Sequence, residues 1–316
     1  MADPKFYAIN KPHKDGYSPA NDFEIVGYEE YAKDPEAFVA KAKRQWTNLR
    51  EIFNQLGAKT VVMEPDPKNP NQVFTADPSL SFKTEQGKLV TIFSRFSNEN
   101  RQPEVDGQSA FFEAEGSHVL INAHFRTEGT GDNVYDVFRD VFWSGYTNTP
   151  GREGAASGRS DQRAHKALSQ VTGVEVISLE VRKPFFHIDT SLAPLPSGHM
   201  LCYRGGMSDA AFEKMQQNAF DRYGLSRSEY LIEVSESDAA RYACNLRCVG
   251  STIVLPECSQ GLQDKLAGIG YKVIATDMSQ FIHAGGAIHC VTNDINETRI
   301  PGGLAKKNGF QDKLRP

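Results

Sequence analysis

Three times along this chain, a glycine opens an apolar segment, and a second apolar segment after it ends on a side chain that could take part in chemistry. The opening glycines are Gly57, Gly173 and Gly270, and the endings are Asp77, Asp189 and Cys290. This repetition predicts similar structural units, each with a strand that ends on a reactive group. Units arranged around an axis would point two carboxylates and a thiol at one another, a set that could hold a cationic substrate and attack it.

Cys290 is the candidate nucleophile. Gly285 and Gly286 lie shortly before it, and residues without side chains let a backbone approach a ligand closely. A free cysteine is only a few per cent thiolate at neutral pH, so it needs a cationic neighbour or a cationic substrate. The alternative is a simply buried thiol, the commonest fate of an unpaired cysteine. That is our interpretation of the other four, Cys202, Cys244, Cys248 and Cys258.

His187 and Asp189 form a His-x-Asp string, and alternation along a predicted strand places both side chains on one face. A histidine in that position could give a proton to a leaving group at neutral pH. Asp189 would then orient the imidazole or hold a cationic substrate. A solvated strand end accounts for the same three residues without any chemistry.

Four further residues are candidates for substrate contacts. Asp77 precedes Pro78, and its carboxylate could accept two parallel hydrogen bonds from a guanidinium, although Asp before Pro also forms turns. The acidic glycine-rich loop that starts at Glu128 lacks a phosphate-binding lysine and favours a cationic ligand. Arg101 and Arg159 stand beside turn residues, where each could bind a substrate carboxylate or lie at the surface.

The overall composition is that of an ordinary globular protein. The chain has 316 residues, of which 39% are hydrophobic and 24% charged, and its formal net charge is −5. Without a basic segment, a nucleic-acid or anionic-membrane partner is not expected. The sequence shows neither a signal peptide nor an apolar run that could span a bilayer. Five cysteines without framework or metal-site spacing predict reduced thiols, a cytoplasmic location and no bound metal.

Short strands and helices alternate along the chain, which predicts an α/β fold. The best-defined helix begins at Pro35 after the capping residue Asp34 and ends at Gly57. Other helices are predicted at 160–171, with Ser160 as cap, and at 208–223, 236–247 and 260–268. Strands are predicted at 89–93, 118–121, 141–143, 199–203 and 251–255. The strand–helix units are centred on Asp77, Glu128, His187, Asn245 and Cys290. We expect these units to form one domain over residues 1–316, and residues 1–24 to wrap the surface of that domain.

Five strings in this order resemble the guanidine-modifying superfamily of arginine deiminases, arginine dihydrolases, dimethylarginine dimethylaminohydrolases and amidinotransferases. They are Phe74-Thr75-Ala76-Asp77, Glu128-Gly129-x-Gly131-Asp132, Trp143-x-Gly145-Tyr146 leading to Arg159-Ser160-Asp161, His187-x-Asp189, and Gly285-Gly286-x-Ile288-His289-Cys290. Together they cover most of the chain. The resemblance implies a pentein fold, which is an α/β propeller of five ββαβ units around a pseudo-fivefold axis, in agreement with the repeat.

The resemblance also implies a role for each candidate residue. The implied catalytic residues are Cys290, His187 and Glu128, and the implied substrate-binding residues are Asp77, Asp189, Arg101 and Arg159. Cys290 looks like the nucleophile, His187 like the general acid and base, and Glu128 like the carboxylate that positions this histidine. Asp77 and Asp189 match the pair that grips the guanidinium. The two arginines look like a clamp for the amino acid end of the substrate.

The implied reaction is hydrolysis of a guanidinium C–N bond through a thiouronium on Cys290, without a metal or an organic cofactor. The expected partner is a small arginine-like guanidine, and a homodimer is expected at the level of the family. If each carboxylate takes two of the five N–H donors of a guanidinium, dimethylation of one nitrogen would leave a carboxylate unpaired. This reasoning favours arginine over dimethylarginine.

Several alternatives stay open from the sequence. They are a dimethylarginine dimethylaminohydrolase, an amidinotransferase that shares the thiouronium, and a non-catalytic binding protein of the same fold. Arginine dihydrolases carry Asn at the position of Asp77 and an Ile-Asn-Pro-Trp-Met string where this chain has Val26-Gly27-Tyr28-Glu29-Glu30. These differences place a second round of hydrolysis to ornithine in doubt.

Overall fold

The structure is a computed structural model that describes residues 1–12, 21–83, 88–121, 124–146 and 159–295. Its helices are α1 Asp22–Tyr31, α2 Pro35–Gln55, α3 Glu104–Ala114, α4 Gly129–Asp132, α5 Gln162–Thr172, α6 Asp209–Ala219, α7 Arg227–Tyr230, α8 Glu236–Ala239, α9 Gln260–Gly268 and α10 Ser279–Ile282. Its strands are β1 Ser79–Lys83, β2 Leu89–Phe93, β3 His118–Ile121, β4 Asn133–Asp136, β5 Val141–Tyr146, β6 Glu175–Glu180, β7 Leu192–Pro194, β8 Met200–Cys202, β9 Leu231–Glu233, β10 Arg247–Val249, β11 Thr252–Pro256 and β12 Lys272–Thr276. In these ranges, no helix has the length and apolar character needed to cross a membrane.

The strands of the described ranges form four three-stranded sheets with one common plan. In the first sheet, β1 and β2 pair antiparallel, and β2 pairs with β3 in parallel, with α3 in the connection. The same order recurs in β4–β6 with α5, in β7–β9 with α6, and in β10–β12 with α9. The predicted α/β class is confirmed, and each of these sheets with its helix is a ββαβ unit.

The fifth predicted unit is not a sheet within the described residues. Its place along the chain is taken by α2 and by a single parallel bridge between Ala2 and Met63. The N-terminal ammonium of Met1 donates to the carbonyl of Val61 at 3.1 Å, so this end of the chain is nevertheless fixed to the segment after α2. The four described sheets do not join into a closed one, and a ring of five units stays a prediction.

The predicted helices are present where a capping residue is followed by apolar residues at helical spacing. In α2, the side chain of Asp34 accepts a hydrogen bond from the backbone N–H of Ala37 and Pro35 opens the first turn, as predicted. The buried residues of this helix are Phe38, Ala42, Gln45, Trp46, Leu49 and Phe53. In α5 the cap is Asp161, not the predicted Ser160.

The helix predicted at 236–247 is wrong, because α8 ends at Ala239. Tyr242 has a left-handed φ of 62°, which a right-handed helix of L-residues cannot contain. Its ring is fully buried and packs edge-on against Phe23 at 5.3 Å, so tertiary packing outweighs the local cost. The resulting turn takes Asn245 out of the helix and places it just before β10.

The reactive residues lie in turns and not, as predicted, at the ends of strands. Asp77 follows the 3₁₀ turn Pro70–Val73, Asp189 lies inside the 3₁₀ turn Ile188–Thr190, and Cys290 lies in a turn after α10. The proposed strand alternation of the His-x-Asp string is therefore wrong as well. The 3₁₀ turn sends the two side chains to different partners, which are described below.

These turns meet one another, which is the convergence that the repeat predicted. The backbone N–H of Ala76 donates to the carbonyl of Cys290 at 3.1 Å, and that of Thr130 donates to the carbonyl of Ala76 at 2.9 Å. The N–H of His289 donates to the carbonyl of Asn245 at 3.2 Å. Because backbone groups that would serve a strand ladder are used between turns, residues from distant parts of the chain come together.

The described part of the N-terminal segment belongs to the core, not to a surface wrapping as predicted. Ala2, Tyr7 and Ile9 are each at most 2% exposed. The ring of Tyr7 stacks on Phe281 at 5.3 Å, and its hydroxyl donates to the carbonyl of Gln280 at 2.9 Å. The cause is that aromatic and aliphatic residues in this polar segment find an apolar site beside α2 and α10. Residues 13–20 lie outside the described ranges.

Candidate active site

His187 is fully buried among acidic side chains. Its Nε2 atom lies 2.8 Å from Oε2 of Glu128, and its Nδ1 atom lies 3.6 Å from Oδ1 of Asp77. Burial alone would lower the pKa of the imidazole, but the charges of Asp77, Asp132 and Glu128 outweigh it and raise this pKa to about 9. His187 is therefore an imidazolium at neutral pH, with a proton that it could give to a leaving group.

Glu128 is the fixed partner of this imidazolium. Its Oε2 atom also accepts a hydrogen bond from Nη1 of Arg159 at 2.8 Å, and its Oε1 atom accepts from the backbone N–H and the hydroxyl of Ser97 at 2.9 and 2.7 Å. Burial raises the pKa of a carboxyl, but Arg159 and His187 outweigh it here and hold the pKa of Glu128 well below its usual value. Glu128 thus stays ionised and orients His187 without taking its proton.

The two candidate arginines bind carboxylates of the site itself. Nη1 of Arg101 donates to Oδ2 of Asp77 at 2.8 Å, while its Nε and Nη2 atoms donate to Glu104 at 2.8 Å. Arg159 pairs with Glu128 as described, and its guanidinium lies 4.4 Å above the ring of Phe186. This placement differs from the expected contact with the amino acid end of a substrate. The reason is that buried carboxylates are costly unless a cation pairs with them.

Cys290 belongs to a second buried group. Its Sγ atom lies 3.3 Å from Oδ2 of Asp189 and accepts a hydrogen bond from Nδ2 of Asn245 at 3.1 Å. The same Asp189 oxygen lies 2.8 Å from Nδ1 of His289. Burial, together with the charges of Asp189 and Asp77, raises the pKa of the Cys290 thiol well above its usual value. Cys290 is therefore a thiol in the empty site, and a cation bound beside it would lower this pKa.

Several polar atoms of these two groups have no hydrogen-bond partner among the described residues. They include Oδ1 of Asp77, Oδ1 of Asp189 and Nδ1 of His187. Buried polar atoms normally have partners, so these atoms indicate where a polar ligand would bind. Two free carboxylate oxygens favour a cationic ligand that carries N–H donors.

The free oxygens change the expected mode of guanidinium binding. Oδ2 of Asp77 already accepts from Arg101, and Oδ2 of Asp189 already contacts Asn245 and His289. A bidentate fork on either carboxylate, as the sequence suggested, would need both of its oxygens. Since only one oxygen of each carboxylate is free, the count of N–H donors no longer separates arginine from dimethylarginine.

Asn245, His289 and Glu104 complete the site, although none of them was assigned a role from the sequence. Asn245 was predicted only as the centre of a repeat unit, and His289 only as a neighbour of the thiol. The position of Asn245 in its repeat unit could have indicated a role, because Asn245 lies shortly before β10, as Asp189 lies shortly before β7. Nothing in the sequence indicated a role for Glu104, because its partner Arg101 was expected to contact a substrate.

Replacing Gly131 with alanine is expected to obstruct the site. A Cβ atom there would lie 2.6 Å from Oδ1 of Asp77 and 2.8 Å from Nδ1 of His187, whose side chains are held by buried partners. We expect kcat/KM for the substrate to fall by roughly 100-fold and the free energy of unfolding by about 1–3 kcal/mol. Steady-state kinetics and urea unfolding measure the two effects.

Gly261→Ala is the matched control for this experiment. Gly261 lies in α9, and no atom lies within 4 Å of the Cβ that alanine would add. This variant should keep the kinetics of the parent protein. If Gly131→Ala were as active as Gly261→Ala, the space beside Asp77 and His187 would not be the substrate site.

Comparison with known proteins agrees with this geometry. Residues 21–297 match the model of the family described as N,N dimethylarginine dimethylhydrolase, eukaryotic. The chain belongs to this family. It lies within the guanidine-modifying superfamily, so the resemblance seen in the sequence is confirmed, and the expected class, a hydrolase of guanidino C–N bonds, agrees with the names of the relatives.

The relatives include an arginine dihydrolase and a dimethylarginine dimethylaminohydrolase. The bifunctional arginine dihydrolase/ornithine cyclodeaminase ArgZ of Synechocystis sp. is 30% identical over 263 residues, which are 83% of this chain and 34% of that protein. The N(G),N(G)-dimethylarginine dimethylaminohydrolase of Mycobacterium tuberculosis is 27% identical over 259 residues, which are 82% of this chain and 77% of that protein. This chain spans 34% of the length of ArgZ and of its homologue AgrE from Nostoc sp..

Solved structures show the same similarity. The N-terminal domain of ArgZ, bound to product, superposes with a TM-score of 0.76 at 26% identity and covers 95% of this chain and 98% of that one. The same domain has been solved covalently bound to a reaction intermediate, again with a TM-score of 0.76 and 26% identity over 95% and 98% of the two chains. A dimethylarginine dimethylaminohydrolase adduct with S-methyl-L-thiocitrulline shares the fold, with a TM-score of 0.62 at 23% identity over 80% and 88%.

Proposed function

We propose that this chain hydrolyses the guanidinium C–N bond of arginine or a close derivative through a covalent thiouronium on Cys290. The observation that carries the proposal is the pair of free oxygens, Oδ1 of Asp77 and of Asp189, beside a thiol and an imidazolium. A guanidinium supplies the N–H donors that these oxygens lack, together with a positive charge. The covalent intermediate of the ArgZ domain supports this chemistry in a relative.

In this proposal the substrate activates its own nucleophile. The negative charges of Asp189 and Asp77 help to keep Cys290 protonated while the site is empty. A guanidinium bound to the free oxygens of both carboxylates would offset these charges, so the pKa of the thiol would fall. The thiolate would then form mainly when a cationic substrate is present, which limits side reactions of the free enzyme.

The thiolate attacks the guanidinium carbon and gives a tetrahedral adduct. His187 donates its proton to the departing nitrogen, because an amine leaves far more readily after protonation. The C–N bond breaks, and the carbon stays bound to Sγ of Cys290 as a thiouronium. Glu128 keeps the imidazole ring in place throughout, through its bond to Nε2.

Water completes the reaction. After the first step, His187 is neutral and can accept a proton from a water molecule as that water attacks the thiouronium carbon. His187 keeps the proton that it took from the water. The C–S bond then breaks, Cys290 leaves as a thiolate, and the remaining hydroxyl proton of the product is lost to solvent. Arg101 and Arg159 form buried ion pairs with Asp77 and Glu128, so we assign them a positioning role in both halves of the reaction.

Arginine is the first candidate substrate. A variant of AgrE with 27% identity to this chain has been solved in complex with L-arginine, over 96% of this chain and 41% of that one, with a TM-score of 0.78. The expected product is citrulline, with ammonia as the leaving group. One round of hydrolysis is proposed, because this chain has Asp77 where the arginine dihydrolases have Asn.

Methylated arginines are the second candidate. The family match over residues 21–297 favours them, and the single free oxygen on each carboxylate does not select against them. A dimethylated nitrogen would leave as dimethylamine from the same tetrahedral adduct. Transfer of the amidino group to an amine would follow the same first half and differ only in what attacks the thiouronium.

A panel of guanidines separates these candidates. The purified protein is incubated with arginine, monomethylarginine, asymmetric dimethylarginine, agmatine and a guanidino acid, and the products are identified by mass spectrometry. Citrulline from arginine without added amine is the expected result. Citrulline from dimethylarginine alone would assign the second candidate, and strict dependence on an added amine such as glycine would contradict hydrolysis.

A further inference from the structure

Asn245 lies between the nucleophile and a guanidinium-binding carboxylate. It is fully buried in the turn that precedes β10, and its own backbone N–H donates to the carbonyl of Tyr242 at 2.8 Å. The left-handed Tyr242 creates this turn, so the side chain of Asn245 points into the site instead of lying along a helix. Neither the predicted mechanism nor the names of the relatives gives this side chain a task.

The orientation of the Asn245 amide is fixed by its surroundings. Its Oδ1 atom accepts hydrogen bonds from the backbone N–H groups of Ala287 and Cys290, both at 3.1 Å. Two N–H donors cannot face an amide nitrogen, so the reverse assignment of oxygen and nitrogen is excluded. Nδ2 must therefore point at the remaining two neighbours, Oδ2 of Asp189 at 2.9 Å and Sγ of Cys290 at 3.1 Å.

The contacts of this amide suit the charged form of the nucleophile. In the empty site, the Cys290 thiol can donate its proton to Oδ2 of Asp189. Once that proton is lost, the sulfur is an anion beside a carboxylate, and it needs hydrogen-bond donors. Nδ2 of Asn245 already points at it, so this donor requires no rearrangement when the charge forms. The backbone of Ala287 and the side chain of Asn245 both counteract the effect of burial on the pKa of the thiol.

We propose that Asn245 is a catalytic residue, whose amide N–H stabilises the Cys290 thiolate while the other N–H holds Asp189 for the guanidinium. The proposal rests on the proposed function, because it assigns a task in the same reaction. The thiol proton moves to solvent as the cationic substrate binds, and Asn245 itself neither gains nor loses a proton. In the second half, the same N–H stabilises the thiolate as it leaves the carbon.

Two substitutions test the proposal through the thiol itself. Asn245→Ser removes the N–H donors from the thiol without adding a charge. Asn245→Asp keeps an Oδ1 acceptor for the two backbone N–H groups but replaces the N–H donors with a second carboxyl oxygen, so its effect also includes any added negative charge. For both, we expect alkylation of Cys290 by iodoacetamide to be about tenfold slower at neutral pH, with its pH profile displaced to higher pH. We expect kcat to fall by about 100-fold, as for the loss of one donor from an oxyanion site.

Asn48→Asp is the matched control, because the amide of Asn48 bonds to Thr276 and not to the site. Its alkylation profile and kcat should equal those of the parent. If Asn245→Asp, folded by circular dichroism, had the alkylation profile of the parent, Asn245 would be a purely structural residue. This readout needs no guanidine, so it is separate from the proposed function, which fails instead if Cys290→Ser retains turnover.

A measurement on the unchanged protein covers the case in which the variants do not fold. With ¹⁵N-labelled asparagine, the side-chain amide signal of Asn245 should shift with pH at the same midpoint as the alkylation of Cys290. This shift should be absent in Cys290→Ser. An amide signal that is indifferent to the ionisation of Cys290 would overturn the proposal.

Discussion

Cys290→Ser is expected to abolish turnover of every guanidine substrate while the protein stays folded. A serine hydroxyl keeps the hydrogen bond to Asp189 but cannot ionise in this site at neutral pH, so no nucleophile is formed. We expect kcat to fall by about 10⁴-fold or more and the free energy of unfolding to change by less than about 1 kcal/mol. Ammonia release and urea unfolding measure the two quantities.

Cys258→Ser provides the control for the loss of a buried thiol. Cys258 is 8% exposed and packs in the main hydrophobic core rather than in the site. The variant should keep the kcat of the parent protein. Undiminished ammonia release from Cys290→Ser would show that the carbon is attacked by something other than this sulfur.

His187→Asn is expected to lower kcat for arginine by about 10²- to 10⁴-fold, the usual contribution of a general acid. The asparagine amide can still bond to Glu128, but it has no proton to transfer. The size of the loss should depend on the leaving group. S-methyl-L-thiocitrulline releases a thiolate, which needs no proton, so adduct formation with this compound should survive the substitution. Mass spectrometry of the intact protein detects this adduct, and an equal loss for both compounds would contradict a general acid role.

The pH dependence of kcat/KM gives a second test of His187. Because the charges of Asp77, Asp132 and Glu128 raise the pKa of its imidazole to about 9 in the free protein, the acid form prevails at neutral pH, and kcat/KM of the parent should fall as the pH rises through about 9. The pKa of His187 in the folded protein lies above the ordinary value of 6.5 for an imidazole. The imidazolium therefore stabilises the fold fully below pH 6.5, and this stability is lost as the pH rises through about 9. Both pH effects should be smaller in His187→Asn.

The sequence predicted which residues meet better than it predicted how they are held. Asp77, Asp189 and Cys290 recur in a spacing that reflects a repeated unit, and a repeat is visible in a linear sequence. The local backbone at these residues was predicted as strand because apolar neighbours such as Phe74 and Ile188 are typical of strands. Those neighbours are buried in turns instead, since hydrogen bonds between distant turns replaced the ladder.

The ion pairs of the site could not be predicted in the same way. Arg101 binds Glu104 three residues away, and also Asp77, so its charge is used inside the protein. Whether a buried arginine faces a substrate or a neighbouring carboxylate depends on side-chain positions, and spacing along the chain does not encode them. For the same reason, spacing along the chain could not show that Oδ2 of Asp77 and of Asp189 already has a partner inside the protein, and the bidentate fork stays a prediction.

Asn245 shows a third limit of the sequence. The residues around it have helix-forming composition, but Tyr242 is buried against Phe23 and Phe185 in a left-handed conformation, and the chain turns there and brings Asn245 to Cys290. Tertiary packing of this kind outweighs local propensity and is not visible in a short window.

The central claim is that the substrate carbon becomes bonded to Cys290 during turnover. A single-turnover experiment tests it, with the enzyme in excess over the best guanidine of the panel, labelled with ¹⁴C in the guanidino group, and acid quenching at successive times. The proposed mechanism predicts label that rises and then falls on the peptide containing Cys290, with the mass of the substrate less its leaving amine. Complete conversion to product without label on that peptide at any time would contradict it.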